Sequence, residues 1–204
     1  MIRPPGKTVR HAHLARLIAG WLANCVPVLL AALMVCAPVF SQADDKLVTE
    51  YRIKAAFLYN FSRFVDWPDD IPQTDRFTIC ILGIDPYGDV LDGLAGKAVH
   101  GNPLDILRLP GKAVAEECRV VYISGSASRR INSILASLGN RPVLTVSDSA
   151  AFAEKGGMIR LKLVDNKVRF DINIDAAQRA GLNISSKLLS LATIVSDSKH
   201  SKAQ

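Results

Sequence analysis

The sequence predicts one α/β domain: a three-layer sandwich with a largely parallel sheet and a C-terminal β-hairpin. Three observations support this fold class. Short, continuous apolar runs are typical of strands buried on both faces, and they occupy 77–82, 104–109, 120–123 and 143–146. Helix-like segments separate these runs, and alternation of strands with helices favours parallel pairing. Near the C-terminus, apolar and polar residues alternate over 168–174, as in a hairpin with one covered face.

The first 43 residues have the layout of a secretory signal peptide. Four basic residues precede an apolar run over 17–40, and the whole segment contains no acidic residue. The segment ends in Ser41-Gln42-Ala43, a small-x-small pattern that places cleavage after Ala43. An uncleaved membrane anchor is the alternative, since the run could span a bilayer, although Asn24 and two prolines disfavour it. We therefore expect a signal peptide at 1–43, a domain at 44–204 and export from the cytoplasm.

Removal of that segment changes the charge balance. The whole chain has 25 Lys and Arg against 19 Asp and Glu, a net charge of +6. Without 1–43 the bases fall to 21 and the net charge to +2. The basic excess therefore lies largely in the signal segment, and nucleic acid is excluded as the expected partner. The remaining 161 residues suit one domain.

Two cysteines, Cys80 and Cys118, follow the signal segment. An even pair in an exported protein predicts one disulfide. Two buried thiols are the alternative.

The helical segments are predicted from spacing and end signals. The first helix is expected over 45–65, ended by Trp67-Pro68 because proline cannot continue the hydrogen-bond ladder. A second is expected over 86–94, with Asp85 as N-cap and Pro86 at the first helical position. A third covers 128–138 and ends at Gly139.

The C-terminal segment is predicted to form the hairpin and then a helix. Its strands cover 158–164 and 168–174, joined by a turn at 165–167. Asp175 and Gln178 match a variant of the capping box. A last helix then contains Leu188, Leu189, Leu191, Ala192 and Val195.

Polar residues follow three of the predicted strands, and ligands of parallel sheets bind outside the carboxyl ends of strands. Asp85, Ser124 and Asp148 are therefore the candidate ligand-binding residues. Helix capping is the alternative, because it uses the same residue types.

The sequence gives little support for a catalytic site or a metal site. After the signal segment the only histidines are His100 and His200, and no Gly-x-Ser-x-Gly elbow accompanies them. No spacing of His, Cys or acidic residues fits a zinc or calcium site. We expect no catalytic residue, no metal, no cofactor and no enzymatic activity.

Four stretches together resemble the YfiR family of periplasmic proteins. They run in order along the chain: Tyr51-Arg-Ile-Lys-Ala-Ala-Phe-Leu-Tyr-Asn-Phe to Trp67-Pro68; Cys80-Ile-Leu-Gly with Asp85-Pro86 and Gly88; Val143-Leu-Thr-Val-Ser-Asp to Gly156-Gly-Met-Ile; and Lys167-Val-Arg-Phe-Asp-Ile-Asn to Ser185-Ser-Lys-Leu-Leu.

The resemblance implies a periplasmic regulator that represses an inner-membrane diguanylate cyclase by binding its periplasmic sensor region. Cyclic-di-GMP and biofilm formation would then be lowered. The resemblance also implies release by an outer-membrane lipoprotein, a homodimer and sensitivity to the redox state of the cysteines.

Two functional hypotheses follow. In the first, the protein docks on a partner through its first helix and C-terminal segment. The helix region is rich in aromatic residues that cannot all share one narrow face, so some are expected to point outward: Phe57, Tyr59, Phe61, Phe64 and Trp67. The alternative is that two layers sandwich this helix. The second hypothesis is a periplasmic small-ligand-binding sensor.

Overall fold

The computed structural model describes residues 42–71, 74–109 and 116–196. Positions 1–41 of the predicted signal peptide lie outside the described residues. No helix in the described ranges has the length and apolar character needed to cross a membrane.

The described helices and strands alternate along most of the chain. The helices are α1 (Gln42–Phe64), α2 (Asp89–Asp92), a 3-10 helix (Gly125–Arg130), α3 (Ile131–Leu138), α4 (Ile174–Arg179) and α5 (Ser186–Leu189). The strands are β1 (Val65–Asp66), β2 (Phe77–Leu82), β3 (Ala98–Val99), β4 (Asn102–Leu109), β5 (Cys118–Ile123), β6 (Leu144–Ser147), β7 (Ile159–Val164), β8 (Lys167–Asn173), β9 (Asn183–Ile184) and β10 (Thr193–Val195).

Eight strands form one sheet in the order β10-β8-β7-β6-β5-β2-β4-β3. Neighbours are parallel except in the pairs β7–β8 and β3–β4. The largely parallel sheet is therefore confirmed. The hairpin is also confirmed: Leu161 lies opposite Phe170, and the turn residues Asp165 and Asn166 both have positive φ, at 49° and 57°. Positive φ at both central residues is what a type I′ turn requires.

Two apolar clusters show the three layers. Alternate residues of β2 point to opposite faces: Ile79 and Ile81 belong to one cluster, Cys80 and Leu82 to the other. The first cluster packs against α1, where Phe61 lies 5.2 Å from Phe170 between ring centroids, and against α4 and α5. The second packs against the 3-10 helix and α3. The sandwich is confirmed, with α1 and the C-terminal helices on one face.

The aromatic residues in and just after the first helix do not point outward as the docking hypothesis expected. Phe61 is fully buried. The other four are partly buried and pack against the first cluster: Phe57, Tyr59, Phe64 and Trp67. The outward-facing apolar residues of α1 are aliphatic instead, namely Leu47, Val48 and Ile53.

The prediction of a helix over 86–94 is wrong except for one turn. Only Asp89–Asp92 is helical, and Gly88 rather than Asp85 precedes it, at φ 52°. The buried Tyr87 side chain explains the break, because its ring packs 4.9 Å from that of Tyr122 and draws the segment inward. The helix predicted at 128–138 begins as a 3-10 helix, becomes α-helical at 131, and ends at Gly139 as predicted.

Two predictions at the C-terminus are also wrong. The cap of α4 is Asn173, whose Oδ1 accepts a hydrogen bond from Ala176 N at 2.9 Å, so Asp175 and Gln178 form no capping box. The last helix stops after Leu189, and Thr193–Val195 pairs in parallel with β8. Three successive β-branched residues favour this extended pairing over a helix.

The structure contains the disulfide predicted from the cysteine count. Cys80 and Cys118 join the neighbouring strands β2 and β5, with a Cα–Cα distance of 5.7 Å. Both cysteines are fully buried in the second cluster, beneath α3. The cross-link therefore fixes the centre of the sheet on the face opposite α1.

Candidate functional site

The three candidate ligand-binding residues follow adjacent strands of the sheet. Asp85 comes after β2, Ser124 after β5 and Asp148 after β6, and these strands are neighbours. The structure therefore places all three at the same carboxyl edge. Their side chains nevertheless belong to three different hydrogen-bond networks.

Asp85 is held in an ion-pair network with an arginine of β4. Its Oδ2 accepts a hydrogen bond from Arg108 Nε at 2.8 Å, and its Oδ1 accepts one from Tyr87 N at 2.7 Å. Arg108 also donates to Asp92 Oδ1 at 2.9 Å and to the Gly88 carbonyl at 3.1 Å. The hydrogen bonds to Asp92 and Asp85 raise the pKa of Arg108. This network fixes the turn after β2.

Ser124 ties the loops after β2 and β5 together. Its hydroxyl is 2.7 Å from that of Ser126, which in turn accepts a hydrogen bond from Ile84 N at 2.8 Å. Gly83 lies against both hydroxyls at φ 100°, and a Cβ there would be 2.5 Å from one Oγ and 2.6 Å from the other. Glycine at 83 is therefore required by both the backbone conformation and the close approach.

Asp148 contacts the first helix across the carboxyl edge. Its Oδ2 accepts hydrogen bonds from Lys54 Nζ at 2.9 Å and from Tyr51 Oη at 3.4 Å. Lys54 is 4% exposed and also pairs with Glu50 at 2.6 Å. Burial lowers the pKa of Lys54, but the hydrogen bonds to Glu50 and Asp148 outweigh it and leave that pKa raised. Sequence reasoning missed Lys54 and Tyr51.

Three tyrosines stack beside this ion pair. The ring centroids of Tyr51 and Tyr87 are 5.3 Å apart, and those of Tyr87 and Tyr122 are 4.9 Å apart, both edge to face. The hydroxyls of Tyr87 and Tyr122 are buried, and neither forms a hydrogen bond of standard geometry with the described residues. Burial raises the pKa of both phenols, and for Tyr122 the nearby Tyr87 and Asp148 raise it further.

The raised phenol pKa values predict a loss of stability at alkaline pH. Above about pH 10 the unfolded chain releases phenol protons that the native state retains. The stabilisation is therefore fully present below pH 10 and is lost as the pH rises further, by about 1.4 kcal/mol per pH unit for each buried tyrosine. We expect Tyr122→Phe to give a shallower fall in urea-unfolding free energy between pH 10 and 11. Parallel curves for wild type and variant are expected below pH 9, and equal slopes above pH 10 would contradict the prediction.

A cleft of about 600 Å3 opens beside Asp148 at the carboxyl ends of β5 and β6. Two cationic side chains and one carboxylate line it, together with hydroxyl, amide and apolar or small residues: Gly125, Ser128, Arg129, Ile131, Asn132, Asp148, Ser149, Ala150 and Lys155. Of the three predicted ligand-binding residues, only Asp148 lines this cleft. Its two cationic lining residues, Arg129 and Lys155, were not singled out from the sequence.

The one described histidine has a structural position. His100 Nε2 lies 2.9 Å from the Ser62 carbonyl and 3.1 Å from the Val65 carbonyl, where it can donate at the junction of α1 and β1. His200 lies outside the described residues. Within the described ranges, no group of three or more His, Cys, Asp or Glu is placed to hold a metal ion.

Comparisons with known proteins place this geometry in context. A family model for DUF4154, described as YfiR/HmsC-like, matches residues 51–193. A solved structure with a similar fold is that of a conserved domain protein from Vibrio cholerae O1 biovar El Tor strain N16961, at TM-score 0.50 and 14% identity. The alignment covers 71% of this chain and 59% of the Vibrio chain, so this chain spans less than two thirds of that protein. At this identity the likeness shows the fold alone.

Proposed function

The chain belongs to the YfiR/HmsC-like family, and from that premise we propose that it is a periplasmic regulatory protein without catalytic activity. It represses an inner-membrane diguanylate cyclase by binding the periplasmic sensor region of that enzyme. Repression lowers cyclic-di-GMP and biofilm formation. The family match over 51–193 is the observation that carries this proposal.

Exposed aliphatic side chains support docking on a protein partner. Ile53 on α1 is 43% exposed, and Leu191 and Ile194 near the C-terminus are 69% and 48% exposed. Both regions border β8: Phe57 of α1 lies 5.4 Å from Phe170 between ring centroids, and β10 pairs with β8. We call Ile53, Leu191 and Ile194 the aliphatic docking surface. Single exposed apolar side chains are common on protein surfaces, whereas apolar patches mark interfaces, and the proposal is that these three residues contact one partner.

The remaining parts of the proposal concern location and assembly. Residues 1–43 act as a cleavable signal peptide, and 44–204 form the periplasmic domain. An outer-membrane lipoprotein releases the repression, and the regulator acts as a homodimer. The Cys80–Cys118 disulfide sets the rigidity of the fold, since it cross-links the central strands β2 and β5.

The test measures intracellular cyclic-di-GMP in cells that lack this protein and carry it back as variants. Deletion should raise cyclic-di-GMP, and the full chain should restore it whereas a chain without 1–43 should not. Ile53→Glu combined with Leu191→Glu should fail to restore it, because charges replace apolar contacts with the partner.

Leu163→Glu is the matched control for that test. Leu163 is 48% exposed but belongs to β7, near the hairpin turn and outside the aliphatic docking surface. This control should repress like the wild type and reach the same periplasmic level. Unchanged cyclic-di-GMP on deletion would refute repression, and equal activity of all variants would refute the docking surface.

The alternative function, a periplasmic small-ligand-binding sensor, is favoured by one observation. The cleft beside Asp148 lies where parallel sheets bind ligands, and its volume of about 600 Å3 is within the usual range for small-molecule sites.

A further inference from the structure

The cleft beside Asp148 carries two cationic side chains that the fold leaves unused. Arg129 and Lys155 both line it, and both are exposed. Neither forms an ion pair within the part of the chain that the structure describes. The contrast with the neighbouring loop is clear, because there Arg108 is shared by Asp85 and Asp92.

The carboxylate in the cleft lining does not neutralise these cations. Asp148 is paired with Lys54 at 2.9 Å, and its side chain is only 18% exposed. Lys54 of α1 therefore balances the negative charge of Asp148. The lining as described thus has an excess of positive charge, which attracts anions into a concave site.

Neutral hydrogen-bonding groups complete the lining. Ser128, Asn132 and Ser149 supply two hydroxyls and an amide. The Ser149 hydroxyl is shielded from solvent and forms no hydrogen bond with the described residues. Hydroxyl and amide donors beside two cations match the acceptor-only oxygens of a phosphate or carboxylate group.

We propose that this cleft binds a small dianionic ligand through its phosphate or carboxylate oxygens, with Arg129 and Lys155 as the charged contacts. The inference rests on the sensor alternative and is independent of the cyclase partner. Failure of one proposal therefore leaves the other standing.

The test is a thermal-unfolding titration of the purified chain at constant ionic strength. Inorganic phosphate and malonate are the two probes, and chloride is the reference anion. A genuine site gives a melting temperature that rises as the probe exceeds its Kd. A response to phosphate alone assigns the ligand to phosphorylated compounds, and a response to malonate alone assigns it to dicarboxylates.

Charge-matched variants separate a site from a general salt effect. Arg129→Gln with Lys155→Gln should weaken probe binding at least tenfold. Lys167→Gln with Lys187→Gln removes the same charge from exposed positions outside the lining and should bind within twofold of the wild type. The proposal is overturned if neither probe gives a rise above chloride, or if both double variants respond alike.

Discussion

Replacement of both disulfide cysteines, Cys80→Ala with Cys118→Ala, is expected to lower the free energy of unfolding by about 4 kcal/mol. The bond closes a loop with a sequence separation of 38 residues. In the chain-entropy model, a cross-link over that length restricts the unfolded chain by this amount. Alanine is the replacement of choice because both positions are fully buried and a serine hydroxyl would need a partner there.

Urea unfolding measures this loss directly, and the melting temperature should fall by roughly 8 to 16 °C. Wild-type protein unfolded and refolded with reductant is the control, and it should lose a similar amount. Native wild-type protein should resist the same reductant, because the sulfurs are buried beneath α3. A loss below about 1 kcal/mol in both reduced and substituted protein would contradict the prediction.

Lys54→Met is expected to lower the free energy of unfolding by about 2 to 3 kcal/mol. The substitution keeps the apolar stem but removes the ammonium that Glu50 and Asp148 share. Loss of one partner from a fully buried ion pair costs about 3 to 5 kcal/mol. The expected value is smaller here because the two carboxylate side chains remain 21% and 18% exposed.

Two further variants isolate the ion pair in the same denaturant titrations. Lys46→Met changes an exposed lysine of the same helix and should cost less than about 0.5 kcal/mol. The double variant Lys54→Met with Asp148→Asn should lose less than the sum of its single variants, because it removes the uncompensated carboxylate. A Lys54→Met effect as small as that of Lys46→Met would rule out a stabilising role.

Continuous apolar runs made the sheet predictable. β2 coincides with the predicted 77–82 segment, and all six of its residues are buried. A strand covered on both faces favours apolar residues at nearly every position, and β2 has only Thr78 as a polar exception, so its sequence carries the signal locally. The hairpin turn and the end of α3 at Gly139 are local in the same way, because they depend on backbone conformations that Asp, Asn and Gly accommodate.

The elements that were predicted wrongly depend on contacts between residues far apart in sequence. The segment after Asp85 has good helix-start signals, yet Tyr87 is buried against Tyr122 of another strand. β10 exists because β8 offers it a pairing partner. Local preference is a weak constraint on such short segments and is overridden by tertiary packing.

The candidate site was predictable only in part for the same reason. The rule for parallel sheets placed Asp85, Ser124 and Asp148 at one edge. It could not show that Asp148 meets Lys54, which is 94 residues away in sequence. It also could not show that Arg129 and Lys155 line one cleft, whereas Arg108 forms ion pairs with Asp85 and Asp92.

The strand order has a consequence for how copies of this protein can associate. Both margins of the eight-stranded sheet are short: β3 has two residues and β10 has three. These short strands cover only part of the longer strands inside them: β3 pairs with Asn102 and Pro103 of β4, and β10 pairs with Asp171, Ile172 and Asn173 of β8. Among the described strands, none pairs with the remaining outer side of β4 or β8. Backbone groups on such a strand margin can pair with a strand of another chain. Two copies could therefore associate by strand addition along β4 or β8 as well as through side chains of the helical layers.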